Sequence, residues 1–278
     1  MKKVIKSLGI AAQIGMSISG VSAQQKKMNV LFIVIDDFKP ELGCYGDKII
    51  KTPNIDQLSQ HGTVFLNNYC QQSVSGPTRA SLMTGKRPDY TGIYNMATKM
   101  RDIHPDILTM PQYFITCGYE TAGIGKVYDP RCVDKELDSP SWSIPFYKNS
   151  SEYFPASTGE PALGQYQFPA TKTLVEKKTK EATKKGMKGK ELREYVQNTI
   201  KPSLECADVP DNAYEDGANV LHAKDILSQL SKGNKPFFFA VGIHKPHLPF
   251  SAPKKYWDLY KRDDMPVAKF QKHALNSP

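Results

Sequence analysis

Two apolar runs constrain the fold of this 278-residue chain more than anything else in it. Asn29 to Ile35 reads Asn-Val-Leu-Phe-Ile-Val-Ile, and Pro236 to Ile243 reads Pro-Phe-Phe-Phe-Ala-Val-Gly-Ile. Neither alternates apolar with polar residues, as a strand with one wet face would. Both are short, rich in β-branched or aromatic residues, and stop at a polar residue. Such runs belong to strands buried on both faces, as a parallel sheet covered by helices requires. A shorter run, Tyr119 to Ile124, is a third strand candidate and ends in Gly125-Lys126. Thr63 to Leu66 is a fourth.

Helical signals lie between them. Thr52-Pro53 places a capping residue before a proline at the first helical position, and Gly62 stops the segment. Pro77 to Met83 is helical, with Gly85 as terminator. Met110 to Ile115 is a short helix ending by Gly118, and Asn212 to Leu230 is a long amphipathic one. Glu136 to Glu160 reads as irregular, and the lysine-rich stretch at about 170–201 as a solvated helical insertion. Strands alternating with helices give an α/β fold with a largely parallel central sheet flanked by helices. In such sheets ligands bind beyond the carboxyl ends of the strands. Asp36-Asp37, Lys126 and His244 all stand there.

Asp36 and Asp37 are adjacent carboxylates at the end of an apolar strand. Burying two like charges together is costly unless a cation neutralises them. A hard divalent ion with oxygen ligands serves, calcium before magnesium, with zinc least suited. The competing reading makes one aspartate a turn cap and leaves the other solvated. The other chemical feature is Ser75-Gly76-Pro77-Thr78-Arg79, running into a helix that ends Thr84-Gly85. It puts a nucleophile-sized side chain at a helix N-terminus, where free N–H groups favour an anion. Arg79 adds a permanent charge with fork geometry. By itself this segment is also a plain turn with a capping residue.

The order of these residues resembles the signature of the formylglycine-dependent sulfatases: Cys or Ser, any residue, Pro, Ser or Thr, Arg, then a short helix ending Thr-Gly. Val34-Ile35-Asp36-Asp37, Tyr69-Cys70-Gln71-Gln72, Gly125-Lys126-Val127-Tyr128 and Val241 to Phe250 resemble the iduronate-2-sulfatase-like branch of the alkaline phosphatase superfamily. The resemblance runs from about Met28 onward, apart from the lysine-rich insertion. It implies hydrolysis of sulfate esters on sulfated carbohydrates, with Ser75 oxidised to formylglycine by a serine-type maturase. It implies Ca2+ held by Asp36, Asp37 and residue 75, Arg79 steadying the formylglycine hydrate, and Lys126 on sulfate. His244 would contact sulfate or protonate the leaving alcohol. The chain departs from the family where a histidine often follows the lysine by two or three residues. Here Tyr128 and Asp129 stand there, so another group, or Asp129 itself, would orient the hydrate. His247 reads as a supporting or core histidine. His61, His104, His222 and His273 show no constellation. Two alternatives stay open: a phosphonate or phosphate ester hydrolase of the same superfamily, and an inactive fragment.

The net charge is +9, which favours anionic partners. There is no zinc finger, aromatic RNA-binding signature or heptad array, so nucleic acid is not the expected partner. Lys2, Lys3 and Lys6, the mostly apolar stretch Leu8 to Val21, and Val21-Ser22-Ala23 read as a signal peptide over residues 1–23. That points to a periplasmic or secreted bacterial protein with no stable membrane anchor. Cys44, Cys70, Cys117, Cys132 and Cys206 lack CxxC spacing, which argues against a zinc site. After His247 the only acidic side chains are Asp258, Asp263 and Asp264, and Asp263-Asp264 reads as a solvated turn. Residues 24–278 therefore read as the N-terminal part of a sulfatase catalytic domain, from a truncated gene, a frameshifted product or a partial sequence. Such a chain alone is expected to bind metal poorly, hydrolyse little and aggregate. Mass spectrometry of the Ser75 peptide from the native host should show a population lighter by two hydrogens. Unmodified serine in every molecule of an active preparation refutes the conversion.

Overall fold

A computed structural model of the chain describes residues 27–200, 202–267, 270–273 and 275. The signal-peptide reading falls outside them. In chain order the strands are β1 (Val30–Ile35), β2 (Glu120–Gly125), β3 (Leu204–Glu205), β4 (Phe237–Ile243) and β5 (Phe250–Ser251). The helices are α1 (Pro53–Ser59), α2 (Ser75–Thr84), α3 (Pro88–Thr91), α4 (Met100–Ile103), α5 (Met110–Thr116), α6 (Pro169–Lys184), α7 (Gly189–Thr199), α8 (Glu215–Ser231) and α9 (Lys254–Trp257). Three strands form a parallel sheet in the order β1-β4-β2. A second, two-stranded parallel pair joins β3 to β5.

The apolar run of β4 is explained by its central place. Phe238 and Ala240 face one layer, with Ala80 and Met83 of α2, Trp142 and Phe146. Phe237, Phe239 and Val241 face the other, with Ala223, Ile226 and Leu230 of α8. Both layers bury side chains completely, so β4 has no polar position until it ends. β1 is less protected. Val30 and Phe32 pack on the α2 layer, while Leu31 and Ile33, on the opposite face, are 47% and 55% exposed. Among the described residues no strand pairs with its outer edge.

That edge corrects one expectation. Thr63 to Leu66 is not a strand, and Phe65 and Leu66 lie exposed. β propensity reports fit to a half-buried sheet surface, and here the segment has no ladder to join. The helix expected over Asn212 to Leu230 begins later. A 3-10 turn at Asp211–Ala213 precedes extended Tyr214, and α8 starts at Glu215. α1 ends at Ser59, short of Gly62. The lysine-rich insertion is two helices, α6 and α7, turning at Gly186. The segment from Glu136 to Glu160 is irregular, with two 3-10 turns and a bridge from Tyr147 to Ile124 of β2, and Arg262–Asp264 is an exposed turn, both as expected. All five cysteines are free thiols. No helix of the described residues is long and apolar enough to cross a membrane.

At their carboxyl ends β2 and β4 come unusually close. A methyl group on Gly242 would lie 2.0 Å from the Lys126 carbonyl carbon. Gly125 sits opposite with φ +74°, a region that favours glycine. Gly242→Ala should therefore destabilise the chain by about 1–3 kcal/mol, the usual cost of overfilling a packed site. The expected readout is a lower urea midpoint; an unchanged one contradicts the close approach.

Candidate active site

Four elements end at one point, and the carboxylate of Asp36 sits there. Asp36 follows the last residue of β1, and its N–H donates to Ile243 O at 3.0 Å, so the β1–β4 ladder runs on into the site. Ser75 begins α2, and Arg79 lies one turn further on the same face. Lys126 follows β2, and His244 follows β4.

The contacts converge on Asp36, which is 4% exposed. Arg79 Nη2 donates to Oδ1 at 2.8 Å, and Ser75 Oγ donates to the same oxygen at 3.2 Å. Lys126 Nζ donates to Oδ2. The other arm of Arg79 donates to the carbonyls of Lys126, at 2.5 Å, and Val127, at 2.8 Å. Arg79 Nε is buried without a partner. Burial by itself would push the Asp36 carboxyl upward. The hydrogen bonds from Lys126 and Arg79, with their charges, outweigh burial and hold it below its ordinary 3.8.

The second aspartate behaves differently. Asp37 has φ +50°, and its side chain is 58% exposed. Oδ2 lies 3.8 Å from His247 Nε2. His247 is therefore not a core histidine. Its ring meets that of His244 edge-on, with centroids 5.0 Å apart. Asp36, His244 and His247 bring one ligand atom each within 4.8 Å of one another, a group able to hold a metal ion. Burial first, then the positive charges of Lys126, Lys245 and His247, push His244 down to about 4. At neutral pH its imidazole is uncharged and offers one N–H and one lone pair.

Asp129 has a partner of its own: its buried carboxylate accepts two hydrogen bonds of 2.8 Å from Arg131. Asp216, which the sequence did not single out, accepts the N–H groups of both His244 and Lys245 at 2.8 Å. It thereby fixes the turn that presents His244. An acid in the first turn of a helix is common, so nothing in the sequence marked this one. His247 was more legible, as the second histidine of His-Lys-Pro-His just past a buried strand. Lys245 is pushed down to about 8, by burial first, against the pull of Asp216 and Glu215.

Two cavities flank the cluster. One, of about 830 Å³, is lined by Asp36, Asp37, Ser75 and Arg79 and reaches Lys86 and Arg87. The other, of about 790 Å³, is lined by His244, Lys245, Glu215 and Tyr256.

The profile of the family described as Sulfatase matches residues 28–277. Iduronate 2-sulfatase, from both Mus musculus and Homo sapiens, is 37% identical over 243 residues, which is 87% of this chain and 39% of the relative. The chain thus spans about two-fifths of the length of these relatives. Among solved structures, Ps i-CgsB in complex with k-i-k-neocarrahexaose superposes with a TM-score of 0.57 at 24% identity, covering 86% of this chain and 50% of that one. The phosphonate monoester hydrolase of Agrobacterium radiobacter gives 0.53 at 20% identity, covering 87% and 45%. These two establish likeness of fold.

The two aspartates should respond differently to substitution. Asp36→Asn leaves Arg79, 3% exposed, without its counter-charge. It should cost about 3–5 kcal/mol of stability, the usual penalty for breaking a buried pair. Asp37→Asn, at the surface, should stay within about 0.5 kcal/mol. Because the Asp36 pKa is depressed, the wild-type advantage should be full above pH 3.8 and vanish as pH falls through the lower folded-state value. Urea titrations across pH test this; equal effects of the two substitutions contradict the assignment of Asp36 as the hub.

Proposed function

The chain belongs to the sulfatase family, and on that premise we propose that it carries the nucleophile side of a formylglycine-dependent sulfate-ester hydrolase acting on sulfated glycans. One observation carries the reading: Ser75 Oγ, at the N-terminus of α2, points at a carboxylate already gripped by Arg79 and Lys126. That arrangement places a convertible side chain among two fixed cations and a helix N-terminus, all suited to an anionic tetrahedral group.

Oxidation of Ser75 by a serine-type maturase gives formylglycine, and water adds to it as a gem-diol. One hydroxyl attacks sulfur and gives up its proton as the S–O bond to the ester oxygen breaks, and that oxygen takes up a proton and leaves as the alcohol. The second hydroxyl then loses its proton as the carbonyl re-forms and sulfate departs, so no water attacks sulfur. Lys126 neutralises sulfate oxygens. Arg79, tied to the Lys126 and Val127 carbonyls, holds the nucleophile's surroundings still. His244, uncharged, suits a hydrogen bond from its N–H to sulfate better than delivery of a ready proton; a bound anion would offset the positive charges that depress it.

The donor set bears on the metal. Asp36, Asp37 and Ser75 Oγ are hard oxygen donors and fit calcium in kind, supplying part of the six to eight oxygens it takes. His244 and His247 widen the group with nitrogen, which suits softer ions. We assign calcium to the oxygen donors; when bound, such a cation draws electron density from sulfur and stabilises developing negative charge. The iduronate 2-sulfatase relatives, and the oligosaccharide named with the Ps i-CgsB structure, support a glycan as substrate. Export to the periplasm or beyond, where such polymers occur, belongs to the same proposal.

The protein as isolated from its native host should cleave aryl sulfate in preference to aryl phosphate. Activity should fall on chelation and return with calcium, and Ser75→Ala should abolish it without loss of fold. Preferred turnover of aryl phosphate or phosphonate moves the protein to the phosphonate branch of the superfamily. No turnover of either ester, with formylglycine present and calcium supplied, overturns the hydrolytic reading.

A further inference from the structure

The net charge of +9 is not spread over the molecule. Residues 27–168 and 201–278 together hold 24 basic and 24 acidic side chains. The first 26 residues add four lysines. Everything else comes from residues 169–200, with nine basic and four acidic side chains, a net of +5. The body that carries the site is electrically balanced, and the positive charge of the folded part belongs to the α6–α7 hairpin.

This hairpin is a built element. Ala182, Val196 and Ile200 are buried where its two helices meet. Its root is fixed by Glu205, fully buried, whose carboxylate accepts the N–H groups of Gln167 and Phe168, the latter at 3.1 Å, and the Tyr214 hydroxyl at 2.8 Å. Its charges are poorly compensated. Only Lys178–Glu181, at 2.8 Å, and Lys190–Glu194, at 3.6 Å, form ion pairs among the described residues. Lys177, Lys180 and Lys184 are exposed at spacings of three and four, so they line one face of α6 over about 10 Å. Lys188 is exposed at the turn into α7. A merely solvated helix pair needs no such imbalance and is better served by matched charges.

The hairpin also begins beside the site. Gln165 lines the 790 Å³ cavity together with His244 and accepts a hydrogen bond from Lys245 Nζ at 2.8 Å. Only three residues separate Gln165 from Pro169, at most about 14 Å of chain. The surface suits a flexible polyanion rather than a base-stacking or lipid partner. Among the described residues of the two helices the one aromatic ring, Tyr195, is covered by Lys185 at 5.2 Å, and only Phe168, at the root, is exposed, so the lysine face offers no aromatic platform for nucleobases. Leu174 is the one large apolar side chain exposed on the hairpin among the described residues, too little for membrane insertion. Lysine, a mobile point charge, tolerates anions at varied positions where arginine's fork would demand one geometry.

We propose that the α6–α7 hairpin is a polyanion-binding arm that holds a sulfated polysaccharide chain next to the site. The choice of polymer rests on the sulfated-glycan reading above; the arm itself rests on charge and placement. The arm retains the polymer through Lys177, Lys180, Lys184 and Lys188 and raises its concentration where a sulfate can enter.

Binding of the full chain to heparin, as a sulfated polysaccharide probe, tests this without any turnover. Replacing Lys177, Lys180, Lys184 and Lys188 together by Gln keeps good helix formers in place. It should weaken heparin binding by about tenfold or more and flatten its salt dependence. Removing equal charge elsewhere, at Lys48, Lys99, Lys232 and Lys235, should change binding little, and desulfated heparin should not compete. Circular dichroism must match wild type for both variants; if the hairpin variant unfolds, the single substitutions Lys180→Gln and Lys184→Gln replace it. Equal losses in the two variants overturn the proposal, as does duplex DNA or phosphatidylserine vesicles binding as tightly as heparin. Arm-dependent binding with no sulfate hydrolysis would leave the arm standing and sink the hydrolytic reading. Hydrolysis with arm-independent binding would do the reverse.

Discussion

The carboxylate of Asp36 is the constraint on which the site depends. It is buried at the meeting of β1, α2 and β2, and taking it from water is unfavourable unless its charge is matched. Arg79 and Lys126 match it from opposite oxygens, and Ser75 adds a hydroxyl. A buried ion pair is a weak argument for stability, because desolvation consumes much of the attraction. Its effect here is on geometry. A carboxylate with its oxygens committed to donors from two other elements cannot rotate freely, and it fixes where those elements end.

The same hub explains the unequal character of the aspartate pair. Adjacent residues at a strand end point in different directions, so only one can share the interior. Asp36 takes it, held below its ordinary pKa by its partners. Asp37 turns out at positive φ toward His247 and keeps contact with water. The pair is thus split between a buried carboxylate that ties three elements together and an exposed one beside His247.

The sequence was most informative where one residue type answers one physical demand. The apolar run of β4 was readable because both its faces are buried, and the end of α2 because Gly85 takes the left-handed conformation. Ser75, Arg79 and Lys126 were readable through a spacing shared with a known family, and the structure brings all three to Asp36. Thr63 to Leu66 misled because strand formation needs a neighbour, which no local pattern reports. Asp216 was hidden for a related reason. Its role arises from α8 and the turn after β4 meeting in space, across 28 positions of chain from Asp216 to His244. The pairing of Asp129 with Arg131, two residues away, was likewise not marked by any local pattern.

Glycine at position 242 links the sheet to this chemistry. In the register of the two strands Gly125 faces Gly242, and Lys126 N–H donates to Gly242 O at 3.1 Å. With no side chain on Gly242, the Lys126 backbone lies directly against β4. That contact sets the position of the Lys126 carbonyl, which receives one arm of Arg79. The other arm of Arg79, and the Lys126 ammonium, then meet at Asp36. The placement of the two cations therefore follows from how closely two strands can approach. The position of both cations around Asp36 is thus preorganised by backbone packing.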